Sequence, residues 1–227
     1  MSGGGARSWD APLTSGKELA SLNETRAIDL KTKSAPQRNK GPWNKGRQVG
    51  QKLPLSPKEI RAIRRRLASV EQLRNLTLFG MAIESSLRSA DLLRLRVRDV
   101  AKRGEPNLQV TFNSLSMNNP VQVEFSEETR RSLAEWIAHA GLKPGDCLFG
   151  SRFKEASPIT VRQYARMVAS WIEQIGLDPD AYGTESLRRT GPALVYKRTG
   201  SLEAVQSFLS HARRESTARY LGIRSDA

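Results

Sequence analysis

The sequence predicts an α+β domain that is mostly helical and carries one small antiparallel sheet. Three observations predict it. Beyond residue 51, most apolar residues recur at helical spacing behind recognisable capping signals. One pair of short segments alternates apolar and polar residues across a polar connection, as a hairpin does. No segment repeats and no second stretch of comparable size follows, so residues 52–227 read as one domain behind an arm, residues 1–51.

The arm has few aliphatic residues in periodic order and many Gly, Ser, Lys, Arg and Asn. Lys31, Lys33, Arg38, Lys40, Lys45 and Arg47 make its later part basic, and Pro36 and Pro42 interrupt any helix. It is expected to be flexible. Either it grips a polyanion, or it is a tail with no specific role; Trp43 is a candidate to dock back on the domain.

Order is expected from Ser56-Pro57-Lys58-Glu59, which has the spacing of a capping box with Pro at the first helical position. Ile60, Ile63 and Leu67 mark one face of that helix, with Arg61, Arg64, Arg65 and Arg66 mostly off it. A second helix is expected over about 71–84, carrying Leu73, Leu76, Leu78, Phe79, Ala82 and Ile83. Ser89 to Arg96 reads as a third, short helix opened by Ser89, with Leu92, Leu93 and Leu95 inward. Leu108–Phe112 and Val121–Phe125 supply the hairpin. Ser126 opens the next helix, which carries Leu133, Trp136 and Ile137 and ends at Gly141. Further helices are expected at about 160–175, 186–199, 201–210 and 213–221.

The chain has 227 residues, a hydrophobic fraction of 38% and a formal net charge of +14, which together point to one core and a polyanionic partner. No long apolar run or lipid anchor accompanies the charge, so nucleic acid is favoured over a membrane. Cys147 is the only cysteine and His139 and His211 the only histidines, which excludes a disulfide framework and a cysteine or multi-histidine metal centre within the chain. The N-terminus lacks the apolar core of a signal peptide. A bacterial cytoplasmic protein working beside the DNA is the expectation.

One constellation narrows this further. Arg88 sits in Ser85-Ser86-Leu87-Arg88-Ser89-Ala90-Asp91-Leu92-Leu93, and Arg188 about a hundred residues later in Glu185-Ser186-Leu187-Arg188-Arg189-Thr190. His211 follows Arg188 by 23 residues and Tyr220 follows His211 by 9. Metal-free attack on a DNA phosphodiester needs these residue types. Guanidinium groups stay charged and fork onto phosphate oxygens, whose charge crowds in the pentacoordinate transition state. A tyrosine hydroxyl can attack and hold the phosphate covalently, and a histidine can donate to the phosphate or help move a proton. The leaving 5′-oxygen needs an acid, commonly a lysine. Singly, each residue has an ordinary reading: a surface arginine at a helix end, a solvated basic pair, a buried histidine satisfying a hydrogen bond, a packing tyrosine. Their joint order favours the chemistry. Arg189, Thr190 and Leu209 read as structural support. Arg162, Arg166, Lys197, Arg198, Arg213 and Arg214 are either phosphate contacts or a solvated face.

From Arg88 to Tyr220 the chain resembles the tyrosine recombinase (phage integrase) family. Leu87, Arg88, Asp91, Leu92 and Leu95 match its first box, Leu187-Arg188-Arg189-Thr190 its second, and Leu209-Ser210-His211 followed by Tyr220 its third. The resemblance covers roughly residues 55–223 and implies the family's catalytic-domain fold, in a short form without the usual N-terminal clamping domain. The basic arm is the candidate replacement. It also implies that Arg88 and Arg188 clasp the scissile phosphate, that His211 supports it, and that Tyr220 forms a 3′-phosphotyrosyl link. No cofactor or metal is implied. Double-stranded DNA and further copies of the chain are the implied partners.

Two positions depart from the family pattern. Glu185 stands where His or Lys is usual. A carboxylate beside a phosphate is repelled in a poorly screened site unless Arg88, Arg188 or Arg189 neutralises it, although it also serves as a base or holds an arginine in place. The hairpin connection Asn113–Asn119 has no lysine, with Lys102 and Lys154 as substitutes away from the expected position. The first expectation is therefore a DNA recombinase with Arg88, Arg188, His211, Tyr220 and Glu185 at its site. The second is a diverged, weak or inactive accessory protein that binds DNA, and a third is a relaxing enzyme of the type IB topoisomerase kind.

Overall fold

The computed structural model describes residues 51–112, 120–151, 157–209 and 211–223. The arm up to residue 50, the hairpin connection 113–119, Lys154, Ser210 and residues 224–227 lie outside them.

Helix α1 (Pro57–Ser69) opens as its sequence predicts. The Glu59 N–H donates to Ser56 Oγ at 3.4 Å, and the Ser56 N–H donates to the Glu59 carboxylate at 2.6 Å, with Pro57 in the first turn. Helix α2 (Leu73–Ser85) starts two residues later than expected because Glu71 takes a positive φ of 52° and turns the chain first. The expected third helix, Ser89 to Arg96, ends early at Leu93, and a further short helix follows it. Helix α3 (Ser89–Leu93) is separated from helix α4 (Val97–Val100) because the Leu95 carbonyl and the Val97 N–H bond to another segment. Leu148 N–H donates to the Leu95 carbonyl at 2.9 Å, and Arg96 bridges to Cys147. Ser89 is also not the cap of α3; Arg88 holds that position and Ser89 is the first helical residue.

Strands β1 (Ala101–Lys102) and β2 (Glu105–Pro106) form a minimal antiparallel hairpin that the sequence reading missed. Its turn is Arg103-Gly104, both at positive φ, and two-residue strands are too short to show alternation. The expected hairpin is strand β3 (Gln109–Phe112) paired antiparallel with strand β4 (Val121–Glu124), Val110 opposite Val123. Val110, Phe112 and Val123 face the core. Helix α5 (Glu127–His139) is capped by Ser126, and the chain turns out of it at Gly141, φ 60°. Helix α6 (Val161–Gln174) has a reciprocal Thr160–Gln163 box. Helices α7 (Thr184–Thr199), α8 (Leu202–Leu209) and α9 (Arg214–Leu221) complete the described chain.

Helix α2 is the axle. Thr77 through Ile83 are all buried, so it presents no solvent face over two turns. It packs on α1, α5 and α7, with Phe79 edge-on to Trp171 of α6 at 5.9 Å between ring centroids. Two glycines permit the close approach. A Cβ on Gly80 would stand 2.6 Å from Thr129 Oγ1 of α5, and one on Gly191 of α7 would stand 2.6 Å from the Ile83 carbonyl oxygen. Thr190 ties α7 to the start of the domain: Leu55 N–H donates to its hydroxyl at 2.9 Å, and that hydroxyl donates to the Ser186 carbonyl at 2.7 Å. Thr190 and Leu209 are buried and act as the structural supports expected of them.

Because the atom facing Gly191 is a main-chain oxygen, a methyl there cannot be absorbed by a side-chain rotation. Gly191→Ala is expected to lower unfolding free energy by about 1–3 kcal/mol through overpacking, despite its better helix propensity. Gly145→Ala, where nothing lies within 4 Å, is the control and is expected to shift it by less than about 0.5 kcal/mol. Denaturant unfolding of both variants checks this; equal stability would show that α2 and α7 have room to separate.

Candidate active site

The site begins where α2 ends. Ser86 adopts the left-handed conformation (φ 50°, ψ 22°), which costs a non-glycine residue about 1 kcal/mol or more and is held by buried neighbours Ser85 and Leu87. This turn leaves Arg88 exposed at the start of α3 and points the Ser86 carbonyl toward α7. Arg188 Nε donates to that carbonyl at 3.0 Å. The same guanidinium lies 3.6 Å from the Glu185 carboxylate one turn earlier, and its side chain is 17% exposed. Arg188 is thus oriented from two sides before any ligand arrives.

His211 and Tyr220 come from the α8–α9 region. Gln206 clips the histidine backbone from both directions: the His211 N–H donates to the Gln206 carbonyl at 3.1 Å, and Gln206 Nε2 donates to the His211 carbonyl at 2.9 Å. The His211 ring Nδ1 is 3.2 Å from the hydroxyl of Thr217, which is fully buried. Thr217 and Tyr220 are three apart on α9 and share a face, so one helix orients both rings. The His211 and Tyr220 rings meet edge to face, 5.7 Å between centroids. Arg188 and Arg189 each place Cζ 5.5 Å from the Tyr220 ring centroid.

The Tyr220 hydroxyl is buried and has no hydrogen-bond partner of normal geometry among the described residues. Burial pushes its proton affinity well above the usual tyrosine range. The Arg188 and Arg189 charges pull it down, while the nearby Glu185 carboxylate adds to the rise. His211 moves the other way. Partial burial lowers its pKa, and the charges of Arg188 and Arg88 lower it further, which brings Arg88 into the same electrostatic neighbourhood.

Arg88, Glu185, Arg188, His211 and Tyr220 therefore gather within one chain from four separated segments. Lys102 is exposed on β1, opposite Glu105 in the hairpin register. Arg162, Arg166, Lys197, Arg198, Arg213 and Arg214 are exposed, and Arg214 pairs with Glu203 at 3.1 Å. Sequence reasoning missed three contributors. Ser86 supplies a main-chain oxygen, which no side-chain motif reveals. Thr217 carried a signal in its three-residue spacing from Tyr220. Arg189 reads in the sequence as structural support, yet its guanidinium lies against the tyrosine. Among the described residues, no three His, Cys, Asp or Glu side chains gather to hold a metal ion, and no helix is long and apolar enough to cross a membrane.

The model of the family described as Phage integrase family matches residues 54–225. The chain is 29% identical over 153 residues to the probable integrase/recombinase YoeC of Bacillus subtilis (strain 168), covering 67% of this chain and 80% of that protein. In fold it is similar to XerH site-specific recombinase bound to palindromic difH substrate, with a TM-score of 0.63 at 21% identity over 76% of this chain and 50% of that one. XerA recombinase aligns with a TM-score of 0.64 at 18% identity, over 78% of this chain and 62% of that chain. The chain thus spans half to three fifths of the solved recombinases it matches.

The depressed His211 pKa fixes the sign of a pH effect. An unfolded histidine titrates near about pH 6.5, so below that value the unfolded chain binds the extra proton more readily than the folded one. The associated stability is present above about pH 6.5 and is lost as pH falls through it toward the lower folded value. Thermal unfolding is expected to show a steeper loss on acidification in the wild type than in His211→Gln. Parallel curves would mean that the histidine is not held neutral.

Proposed function

The chain belongs to the phage integrase family of tyrosine recombinases, and from that premise we propose that it cuts and rejoins duplex DNA through Tyr220. The observation that carries the proposal is the placement of the Tyr220 ring against two guanidiniums and the His211 imidazole of its own chain. In this reading Arg88 and Arg188 hold the non-bridging oxygens of the scissile phosphate, and His211 donates to the same group. Tyr220 attacks in its own site, giving a 3′-phosphotyrosyl link and a free 5′-hydroxyl. The link keeps the energy of the broken bond, so rejoining needs no nucleotide.

Glu185 has two neighbours that matter, Arg188 and the Tyr220 hydroxyl. While its carboxylate holds the Arg188 fork, it occupies the charge that a phosphate would seek. The arriving phosphate displaces it, leaving it free to accept the phenolic proton. The buried hydroxyl must also come within reach of phosphorus, so DNA binding is proposed to shift α9. Strand exchange joins two duplexes, which calls for several copies of the chain on paired sites. The basic arm, residues 1–51, is proposed to grip DNA phosphates outside the site, and the protein to work in the bacterial cytoplasm beside the DNA.

A protein that only binds DNA is the other reading, and Glu185 with the lysine-free connection Asn113–Asn119 speaks for it. Phosphate binding alone, however, has no use for a tyrosine packed against two arginines. That arrangement favours cleavage.

Wild-type protein incubated with nicked suicide duplexes made from DNA flanking its gene is expected to yield a covalent protein–DNA adduct. Tyr220→Phe should abolish it, and Arg188→Ala should slow it by roughly 10²–10³-fold. No adduct from the wild type on any flanking segment would overturn strand cutting. Glu185→Gln removes a half-exposed carboxylate beside Arg188, worth about 0.2–1 kcal/mol, so duplex affinity at low salt should rise about 1.5- to 5-fold. Weaker binding by this variant would show that Glu185 helps the phosphate seat rather than competing for it.

A further inference from the structure

The reaction as described leaves Arg189 without a task, although the fold spends free energy to keep it where it is. Only 8% of the residue is exposed. Its side chain forms no hydrogen bond or ion pair among the described residues, whereas its neighbour Arg188 is held by the Ser86 carbonyl and by Glu185. Its nitrogens reach water only narrowly, and a guanidinium with so little hydration and no anionic partner carries a cost. The face of a neutral tyrosine ring offsets part of that cost through cation–π attraction, of order 0.5–2 kcal/mol. A negative charge on the tyrosine oxygen would offset far more. Of the groups around Arg189, the one set to gain such a charge is the ring it already lies against, 5.5 Å from Cζ to centroid.

We propose that Arg189 stabilises the negative charge that collects on the Tyr220 oxygen as this oxygen joins or leaves phosphorus. Arg189 thus acts through the nucleophile, as a positioning and charge-balancing residue, and not by holding DNA. The proposal rests on the strand-cutting reading above. In the forward step the Oη–P bond forms, the bond from phosphorus to the 5′-oxygen breaks with its electron pair passing to that oxygen, and the phenolic proton is, in the balance, the one that ends on the 5′-hydroxyl. In the return step the 5′-oxygen rebonds to phosphorus, gives up that proton, and the Oη–P pair goes back to the tyrosine, which is reprotonated. In both directions charge on Oη peaks near the transition state, and a fixed buried cation lowers its energy at no cost in reorganisation. The downward pull of Arg189 on the otherwise raised proton affinity of Tyr220 agrees in sign.

The test needs no DNA. With 3-nitrotyrosine installed at position 220 of the full chain, the phenol is titrated by its visible absorbance. Arg189→Met, which keeps bulk and loses charge, is expected to raise phenol proton affinity about three- to tenfold, and Arg189→Lys to restore at least half of that change on a logarithmic scale. Should Arg189→Met fail to fold, Arg189→Gln against Arg189→Lys makes the same comparison. Unchanged titration in the neutral variants would overturn the proposal, as would a loss of duplex affinity in them with the phenol unmoved, which would make Arg189 a phosphate ligand. Absence of adduct in the wild type bears on strand cutting, whereas an unmoved phenol bears on Arg189, so the two failures are told apart.

Discussion

The close approach of α2 and α7 is the constraint on which the site depends. Gly191 lets the main chain of α7 pass the Ile83 carbonyl at a distance that no side chain permits, and one turn away the Arg188 side chain reaches the carbonyl of Ser86. Widening this contact by the radius of a methyl group would pull Arg188 from its acceptor. It would also move Arg88, which the left-handed turn at Ser86 fixes relative to the end of α2. Two arginines about a hundred residues apart are thus set by one helix pair. The remaining packing of α2, on α5 through Gly80 and on α6 through Phe79, keeps that helix from yielding.

A second constraint is electrostatic. Helix α9 buries a phenol beside two cations and within reach of a carboxylate, and these groups oppose one another. Burial and Glu185 favour the protonated, unreactive phenol, while Arg188 and Arg189 favour its anion. In the DNA-free chain the first pair prevails. A phosphate entering the proposed Arg88–Arg188 seat would claim the cation that Glu185 now holds, leaving the carboxylate near the phenolic proton. On the proposed reading, the same residue that raises the proton affinity of Tyr220 without DNA is placed to activate it with DNA. On this view, Glu185 in the position usual for His or Lys changes when the site is active rather than whether it is.

Much of this was legible in the sequence, and what was not has identifiable causes. The capping box at Ser56, the alternation around Val110 and Val123, and the apolar spacing of the long helices are local signals, and the structure follows them. The segment from Ser89 to Arg96 departs from its expected helix because the Leu95 carbonyl and the Val97 N–H bond to Leu148 and Asp146, partners some fifty positions away. The order Arg88, Arg188, His211, Tyr220 was readable because it consists of side-chain types at fixed spacing. The Ser86 carbonyl and the glycine contact were not, since main-chain atoms and close approach leave no mark in residue identity beyond a permissive Gly.

Arg189 shows where motif reading stops for a deeper reason. Adjacent to Arg188 on α7, it points about 100° around the helix axis from it by helical geometry, so the two should address different surroundings. They converge on one ring only because α9 lays Tyr220 across that stretch of α7. In the sequence, Arg189 beside Arg188 reads as half of a solvated basic pair or as structural support. Burial reverses that reading. A surface arginine is solvated wherever it points, whereas one that is 8% exposed, with no ion pair among the described residues, depends more on the chemistry it faces. What it faces is Tyr220, the proposed nucleophile.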